Sequence, residues 1–493
     1  MDNTFRPADP PAASSITIIH PHPNTHGQVV KLSVIDQIAP RDYISTCLFF
    51  PLVTSTDKTR IFHAFERALY NTVNDIPELA CCVQKHTGND REEVELLFHS
   101  DKGAEIHYKD YTSPGLRTLW KFGTFEQLEQ DHFPLQKLPR HIVFGTSSKL
   151  VQNVRLSALV VQCNFIRGGL ILGTCLHHVA GDGICNLILH KTIGLHFAAI
   201  VSGLSIYACP ITTMDRSRTI QGNRHATLEE LPDWKLTEDS AGFLNPVAYE
   251  SVKLDKFEYA IFYISAEKMS LLKRFVLNST PEVKFSTTEA LGAFLWRHVV
   301  LAREIDPQEY PEAKLSITID ARGRTNPSTP SNYWGNFSEP NAVAKLPVAL
   351  LQRQPSSGGH EGGIYLEPVR CIKKAIAAID DKAVRRLVGL LNQMPKSTTL
   401  TWNVNRYPGP DMLIVCLQAH RYNDISFGPE LGYPSAMRVT VGDTECKPDG
   451  RCIILPPRRA DGQGLEIVLQ YGGGMLKRLV DNSEFSNFFI RRN

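Results

Sequence analysis

The first half of the chain alternates short apolar runs with one long amphipathic stretch. The runs VVKLSVIDQIAP and STCLFFPL predict two short strands separated by a turn. In STDKTRIFHAFERALYNTV, apolar residues recur at four-residue spacing behind polar ones, a pattern typical of an amphipathic helix. Pro77 cannot continue this helix, so we expect the helix to end before that residue.

Two apolar runs around a glycine turn follow, and they lead into a second helix. SALVVQCNFI and LILGTCL flank RGG, which predicts a β-hairpin whose far end carries His177 and His178. From Gly183 the segment GICNLILHKTIGLHF predicts a largely apolar helix. Asp182 comes just before this helix, where its carboxylate can accept hydrogen bonds from the free backbone N–H groups.

The second half mixes helices and strands again, after a polar stretch without periodicity. The predicted helices are SAEKMSLLKRFVL, STTEALGAFLWRHVVLAR, EPVRCIKKAIAAI and DDKAVRRLVGLLNQM. The predicted strands are FEYAIFYI, AKLSITIDARGR, MLIVCLQA, AMRVTVG, CIILPP and LEIVLQY, and strands are expected to dominate to the end. The segment QPSSGGHEGG is expected to be a flexible surface insertion.

These elements predict an α/β fold in which each half combines helices with a mixed sheet. At 493 residues the chain is too long for one core and suits two domains. We expect a flexible N-terminus over residues 1–30, a first domain over residues 31–210, a crossover linker over residues 211–253 and a second domain over residues 254–493.

Composition and charge narrow the classes of function. The formal charge of +2 gives no large basic face for nucleic acid or an anionic membrane. No apolar run is expected to span a membrane, and the polar, proline-rich start does not resemble a secretory signal, so we expect a cytoplasmic protein. The 11 cysteines are scattered without disulfide or zinc spacing and are expected to be reduced.

The segment HHVAGDG concentrates polar residues at the end of the predicted hairpin. Neighbouring strand residues point to opposite faces, so only one of His177 and His178 can face a given cavity, and we expect no metal site. A catalytic interpretation makes His178 a neutral general base and Asp182 the residue that organises the loop. The structural interpretation is a half-buried histidine beside an ordinary helix cap, and residue types alone favour it.

A family resemblance favours the catalytic interpretation of His178 over the structural one. HHVAGDG carries the HxxxD element of the BAHD acyltransferases, and the preceding NFIRGGLILGTCLHH resembles that family's approach to it. Four further segments follow in the family's order and resemble its fungal, trichothecene O-acetyltransferase-like branch. They are LSVIDQIAPRDYISTCLFFP, STTEALGAFLWRHVVLAR, IDARGRTNPSTPSNYWGNF and RVTVGDTECKPDGRCIILPPRRADGQGLEIVL. The resemblance covers most of the chain from about Leu32.

The resemblance implies two chloramphenicol-acetyltransferase-like domains with a channel between them. Acyl-CoA, with acetyl-CoA expected, would be the co-substrate and would enter from one side, the small-molecule acceptor from the other. No bound cofactor is expected, and the protein is expected to be a monomer. His178 would accept the proton of the acceptor as it attacks the thioester. Asp182, followed by Gly183, would have a structural role and pair with Arg322 of the second half.

Other site residues follow from the resemblance as well. Gly335 and Asn336 in NYWGNF match an element that lines the family's channel, although a tight turn explains the same residues. Relatives often place a hydroxyl residue and a tryptophan near the reacting carbonyl. Counting back from the SFG segment puts Val415, Cys416 and Leu417 there.

The remaining candidates depend on two departures from the family pattern. Thr401 and Trp402 would supply the hydroxyl and the tryptophan only if an insertion has lengthened the region that follows them. SFGPELGYP stands where the family has DFGWG, so Ser426, Phe427 and Gly428 are expected to support the fold.

Three functions follow from these observations. The first is an acyl-CoA-dependent O-acyltransferase that modifies a fungal secondary metabolite such as a terpenoid, polyketide or alkaloid. The second is a condensation-type enzyme that uses a carrier-bound acyl donor, since HHVAGDG also satisfies the HHxxxDG pattern of condensation domains. The third is a non-catalytic relative that keeps the channel as a ligand pocket.

Overall fold

Two mixed β-sheets, one in each half, carry the fold of this computed structural model. The structure describes residues 13–22, 25–85, 93–146, 155–237, 257–277, 284–338, 341–354, 361–394, 399–406, 409–439 and 450–493.

The N-terminal sheet has six strands. In spatial order they are β1 (Ser14–Ile19), β6 (Ala104–Asp110), β8 (Leu159–Ile166), β9 (Gly169–His177), β3 (Tyr43–Pro51) and β16 (Ala436–Val439). All neighbours are antiparallel except β6 and β8. Strands β8 and β9 are the predicted hairpin, which is confirmed, and β9 ends at His177, one residue before His178.

The C-terminal sheet has seven strands. In spatial order they are β13 (Ala342–Pro347), β12 (Glu312–Ile317), β15 (Met412–Cys416), β17 (Arg451–Ile454), β18 (Leu465–Gly472), β11 (Phe257–Ile264) and β19 (Ile490–Arg491). Two small sheets complete the described strands. They are β2 (Val29–Val30), β5 (Val94–Leu97), β4 (Cys82–Lys85) and β7 (Leu156–Ser157), and the pair β10 (Trp234–Thr237) and β14 (Thr399–Trp402).

Helices pack on the faces of these sheets. They are α1 (Val34–Ile38), α2 (Lys58–Asp75), α3 (Phe125–Gln130), α4 (Arg140–Val143), α5 (Gly183–Val201), α6 (Ala266–Leu277), α7 (Thr287–Ala302), α8 (Val348–Leu351), α9 (Leu366–Ala378), α10 (Asp381–Gln393), α11 (Gly428–Leu431), α12 (Gly473–Asp481) and α13 (Ser483–Phe488). The predicted helices α2, α5, α6, α7, α9 and α10 are confirmed. Side chains of Asp57, Asp182, Ser286 and Asp380 cap α2, α5, α7 and α10 as polar N-cap residues do.

Helix α5 is apolar around its whole circumference because it lies inside the N-terminal half. Its length and composition would also suit a membrane-spanning helix. We had expected no apolar run as long as a membrane span. In the fold, α5 packs against α2, and 61% of its most apolar window is buried. A helix that is hydrophobic on all sides is typical of a protein core.

Several predictions about local structure are wrong. Residues 14–19 are not a flexible start but form the edge strand β1, although residues 1–12 lie outside the described residues. The run VVKLSVIDQIAP is a two-residue strand followed by α1, because Ser33 and Asp36 form a capping box that begins a helix. Strands do not dominate to the end, since α12 and α13 follow β18. The centre of QPSSGGHEGG and the end of the crossover lie outside the described residues.

The two halves share structure rather than meeting at a simple boundary. Strand β16, which belongs to the predicted second domain, pairs with β3 of the N-terminal sheet. Arg438 of β16 is fully buried and donates a hydrogen bond to the backbone oxygen of Phe133 while it pairs with Glu466 of β18 at 2.9 Å. Ile453 and Val468 of the second half also belong to the core of the first half. The interface is therefore a continuous part of the folded interior.

Candidate active site

His178 lies where the hairpin of the N-terminal sheet meets the second half. Its backbone N–H donates to the oxygen of Asp42, and its side chain stays partly exposed. His177 faces the other way, as the alternation of strand residues predicts. It is fully buried against the ring of Tyr43, and burial lowers the pKa of His177 to about 3. Of these two histidines, His178 is the one that is partly exposed at the junction.

Asn336 sets the protonation pattern of the His178 ring. The amide Nδ2 of Asn336 donates to Asp36 Oδ1 at 2.9 Å and to the backbone oxygen of His178 at 2.9 Å. Both partners are acceptors, so the amide oxygen of Asn336 must be the atom that faces His178 Nδ1, at 3.2 Å. Nδ1 therefore carries the proton, and Nε2 keeps a free lone pair. This is the tautomer that a general base requires.

Burial keeps the His178 imidazole neutral. The pKa of His178 is lowered from 6.5, chiefly because burial disfavours the charged ring, and the nearby Arg451 guanidinium lowers it further. The carboxylate of Asp182 and the hydrogen bond with Asn336 act in the opposite direction. Near pH 7 the ring is thus ready to accept a proton.

Asp36 and Arg216 hold Asn336 in place. Asp36 is fully buried and also accepts the backbone N–H of Asn336 at 3.0 Å, while Ser33 caps its other oxygen. Arg216, also fully buried, lies 3.4 Å from Asp36 Oδ1 and donates to the oxygen of Ala180 in the loop after His178. Neither residue was predicted from the sequence. The Ser33–Asp36 capping-box spacing was the available signal, because it predicts a helix start rather than a strand.

Asp182 joins the two halves through a buried ion pair. Its carboxylate accepts two hydrogen bonds from Arg322, each at 3.0 Å, and both side chains are fully buried. Oδ1 also caps α5 by accepting the backbone N–H groups of Ile184 and Cys185. Arg322 lies in a short 3₁₀ turn just past β12, not on the predicted strand.

The surroundings of this pair satisfy the remaining donors and acceptors. Asp182 Oδ2 accepts the backbone N–H of Phe337 at 2.8 Å and the hydroxyl of Ser338 at 2.9 Å. Arg322 and these hydrogen bonds hold the pKa of Asp182 well below its usual range, despite its burial. The carboxylate therefore stays ionised across the working pH range and points into the joint between the halves.

The predicted glycines support this joint. Gly183 is the first residue of α5, directly after the capping carboxylate. Gly335 has φ 156°, and its oxygen accepts a hydrogen bond from Arg322 at 2.6 Å. A Cβ at Gly335 would come within 2.7 Å of the Tyr333 ring. Gly335 thus contacts the ion pair, whereas the adjacent Asn336 contacts His178.

Thr401 and Trp402 are not brought to His178. They lie in β14, which pairs with β10 in a separate two-stranded sheet. The Trp402 ring packs on Trp234 with centroids 4.1 Å apart, in a small satellite core. Strand β14 pairs with the crossover segment rather than with the C-terminal sheet, and the place of the two residues in the channel stays a prediction. Val415, in β15, lies in that sheet instead.

The SFG segment packs against the N-terminal half. The ring of Phe427 is fully buried against Phe50, with centroids 4.8 Å apart. Gly428 has φ 74°, and a Cβ there would come within 2.9 Å of Ala198 in α5. Ser426 caps this turn by accepting the N–H of Gly428. This packing agrees with a role in the fold.

The overall architecture matches that of a solved structure. The chain superposes on the crystal structure of F. graminearum TRI101 complexed with coenzyme A and T-2 mycotoxin with a TM-score of 0.75 and 19% identity, covering 94% of this chain and 100% of that one. The predicted fold, two chloramphenicol-acetyltransferase-like domains with mixed sheets, is thereby confirmed.

Sequence comparison gives the family. The profile of the Transferase family matches residues 13–485, so the chain belongs to the Transferase family. Acyltransferase cm3D of Cordyceps militaris is 29% identical over 481 residues, which cover 94% of this chain and 96% of cm3D. Eremophilane O-acetyltransferase ORF8 of Penicillium roqueforti is 24% identical over 486 residues, which cover 94% and 98% of the two chains. The predicted resemblance and the predicted enzyme class, an acyltransferase, are confirmed.

Proposed function

We propose that this protein is an acyl-CoA-dependent O-acyltransferase of fungal secondary metabolism, with acetyl-CoA as donor. The observation that carries the proposal is the His178 imidazole at the junction of the two halves, with Nδ1 bound to Asn336 and Nε2 free. The names of the relatives support it, since they include acyltransferases and an O-acetyltransferase. The CoA in the TRI101 crystal structure supports the same class of donor.

The reaction then proceeds by direct transfer. His178 Nε2 takes the proton of the acceptor hydroxyl as its oxygen attacks the thioester carbonyl. The carbonyl electron pair moves onto oxygen and forms a tetrahedral oxyanion. When that pair returns, the C–S bond breaks, and the CoA thiolate takes the proton held by His178. The products are an ester and CoA, and no acyl-enzyme forms.

Asp182 has a positioning role in this scheme. Its carboxylate is fully buried and fully used by Arg322, by α5 and by the 337–338 segment, so it does not reach a substrate. By capping α5 it fixes the loop that carries His178. By pairing with Arg322 it fixes the second half against that loop.

The cellular setting belongs to the same proposal. A cytoplasmic monomer suits an enzyme that draws on CoA esters and small acceptors. Burial of α5 supports this setting, because 61% of the most apolar window of that helix is buried inside the protein. The condensation-type and ligand-binding alternatives are less well supported, since the curated relatives with which the chain aligns over nearly its full length include several acyltransferases.

The test compares the wild type with His178→Ala and with His225→Ala, which removes an exposed histidine. Each protein is incubated with acetyl-CoA and an extract of the producing organism, and acetylated products and free CoA are followed by mass spectrometry. We expect a product with the wild type and with His225→Ala but not with His178→Ala. Acetyl-CoA affinity, measured by calorimetric titration, should be kept in His178→Ala. A near-normal rate in His178→Ala would reject the assigned base, and no wild-type product would reject the proposed donor.

A further inference from the structure

Arg451 lies on the face of the C-terminal sheet that is turned towards the N-terminal half, a face that also carries Lys314 and Lys345 of β12 and β13. On β17, Cys452 and Ile454 belong to the core of the second half, whereas Ile453 belongs to the core of the first half. Successive strand side chains point to opposite faces. Arg451, two residues before Ile453, therefore projects towards the N-terminal half, as Ile453 does.

Arg451 belongs to a solvent-reaching patch on this face. Leu413 of β15 lies opposite Arg451, and Val415 lies opposite Ile453 in the parallel register. Thr318, just past β12, alternates to the same face, because Ile317 points into the core of the second half. Thr318, Leu413, Val415 and Arg451 are all partly exposed although they face the other half of the protein. Solvent therefore reaches this face, although Val415 also packs against the core of the first half. We take these residues as one wall of the channel that the family resemblance implies.

His178 shares this space with Arg451. As a residue, His178 is partly exposed on the N-terminal side of the junction. Arg451 is near enough for its charge to lower the pKa of His178. The wall thus places a permanent cation within electrostatic reach of the base.

The residues expected to lie near the reacting carbonyl supply no positive charge there. Val415 and Leu417 are apolar, and Cys416 packs on the opposite face, with its sulfur 3.5 Å from the Thr288 hydroxyl. Thr401 and Trp402 lie in the separate sheet of β10 and β14. The tetrahedral intermediate nevertheless carries a full negative charge on oxygen, and hydrogen-bond donors aimed at such a charge are a major source of rate enhancement.

We propose that Arg451 is the residue that binds the thioester carbonyl oxygen and stabilises the oxyanion. As the acceptor oxygen bonds to the carbonyl carbon, the carbonyl electron pair moves to oxygen, and a guanidinium N–H of Arg451 donates to that oxygen. The pair returns when the C–S bond breaks, and Arg451 itself neither gains nor loses a proton. This inference rests on the proposed acyltransferase function.

The same placement links Arg451 to the pH dependence of the reaction. The charged and titratable groups that act on His178 are Asp182 of the helix cap, Arg451 of the channel wall and the neutral, buried His177. Removal of Arg451 takes away the cation that opposes protonation of the imidazole. The acidic limb of the activity profile should then move to higher pH.

The experiment measures kcat and KM of the wild type, Arg451→Met, Arg451→Lys and the control Arg218→Met, which removes an arginine that is 84% exposed. The acceptor is the compound acetylated by the wild type in the extract experiment. Two donors are compared, acetyl-CoA and S-acetylpantetheine, which share the thioester but differ in the phosphates. Near-ultraviolet circular dichroism checks folding. If Arg451→Met does not fold, Arg451→Gln, which removes the charge but keeps two N–H donors, takes its place.

We expect Arg451→Met to lower kcat by on the order of 10²-fold with both donors, with KM little changed and the acidic limb moved to higher pH. Arg451→Lys should retain more activity than Arg451→Met, and Arg218→Met should match the wild type. A loss confined to KM for acetyl-CoA and absent with S-acetylpantetheine would show phosphate binding and overturn the inference. An unchanged kcat would overturn it too. A wild type without turnover would overturn the proposed function, and this inference with it.

Discussion

Asn336 accepts a hydrogen bond from Nδ1 of His178, and the two residues are 158 positions apart in the sequence. The orientation of the amide cannot be reversed, because its Nδ2 already faces two acceptors, Asp36 and the His178 backbone oxygen. The second half of the protein therefore selects the tautomer of a histidine that belongs to the first half. An isolated N-terminal half would carry the HxxxD element without this selection.

Replacing Asn336 with alanine should lower kcat by about 10²-fold, because the imidazole loses the acceptor that fixes its tautomer and ring orientation. Binding of acetyl-CoA should change little. Steady-state kinetics with the acceptor found in the extract experiment measure both effects. The matched control is Asn332→Ala in the same loop, where the amide donates to the oxygen of Cys209 and does not contact His178. Equal losses in both variants would mean that the loop, rather than the amide of Asn336, matters.

The activity should depend on pH through His178. Burial lowers the pKa of this imidazole below 6.5, so the protonated, inactive ring accumulates only at lower pH. A plot of kcat/KM against pH should rise with pH, with a midpoint below 6.5, and should be flat from there to neutral pH. Asp182 stays ionised over this range, so it adds no further pH-dependent section to the profile of kcat/KM. A midpoint at or above 6.5 would contradict the assignment of His178 as the free base.

The buried pair of Asp182 and Arg322 should dominate the stability of the junction. Asp182→Asn removes the buried counter-charge of Arg322 and leaves its guanidinium with only the partly exposed carboxylate of Asp320, so the free energy of unfolding should fall by about 3–5 kcal/mol. Chemical denaturation measures this change, and activity should fall together with stability. Asp424→Asn, which removes an exposed carboxylate beside Arg421, should cost under about 1 kcal/mol.

A double-mutant cycle separates the pair from its surroundings. Arg322→Met in the Asp182→Asn background removes the guanidinium that has lost its buried partner, so the combined loss should be smaller than the sum of the two single losses. Strict additivity would show that the two groups do not interact. A complete loss of activity in Asp182→Asn without any loss of stability would instead point to a direct chemical role for the carboxylate.

Trp402 should be dispensable for chemistry. Its ring stacks on Trp234 in the satellite sheet, so Trp402→Leu should leave kcat within about twofold of the wild type while it removes an aromatic contact that typically contributes about 0.5–1.5 kcal/mol. Kinetics and thermal unfolding of the same preparation give both values. A large fall in kcat with an unchanged melting temperature would contradict this prediction and indicate that Trp402 lies in the channel.

The sequence predicted the features that depend only on residues close together in the chain. The four-residue spacing in Lys58–Asp75 gave the helix α2, and the glycine turn at Arg167–Gly169 gave the hairpin that delivers His178. Asp182 was identified as a cap because a cap depends on the next three residues only. The pair with Arg322 could be expected only from the family resemblance.

The rest of the site depends on distant contacts. Asp36 reaches Asn336 across 300 positions, and Arg216 is fully buried within a segment whose polar composition predicts a solvated linker. The pairing of the strand that carries Trp402 could not be predicted for the same reason, since nothing in TLTWN shows that this strand pairs with β10. Sequence periodicity reports which face of an element is buried but not which element covers it.

The position of β16 has a consequence for the order in which the chain can fold. During synthesis on the ribosome, β3 emerges early, but the strand that covers its open edge follows only after most of the second half has been made. Until then the row of unpaired backbone groups on β3 can template pairing with other chains. We therefore expect the first half, produced alone, to aggregate, and co-expression with the second half as a separate polypeptide to rescue it.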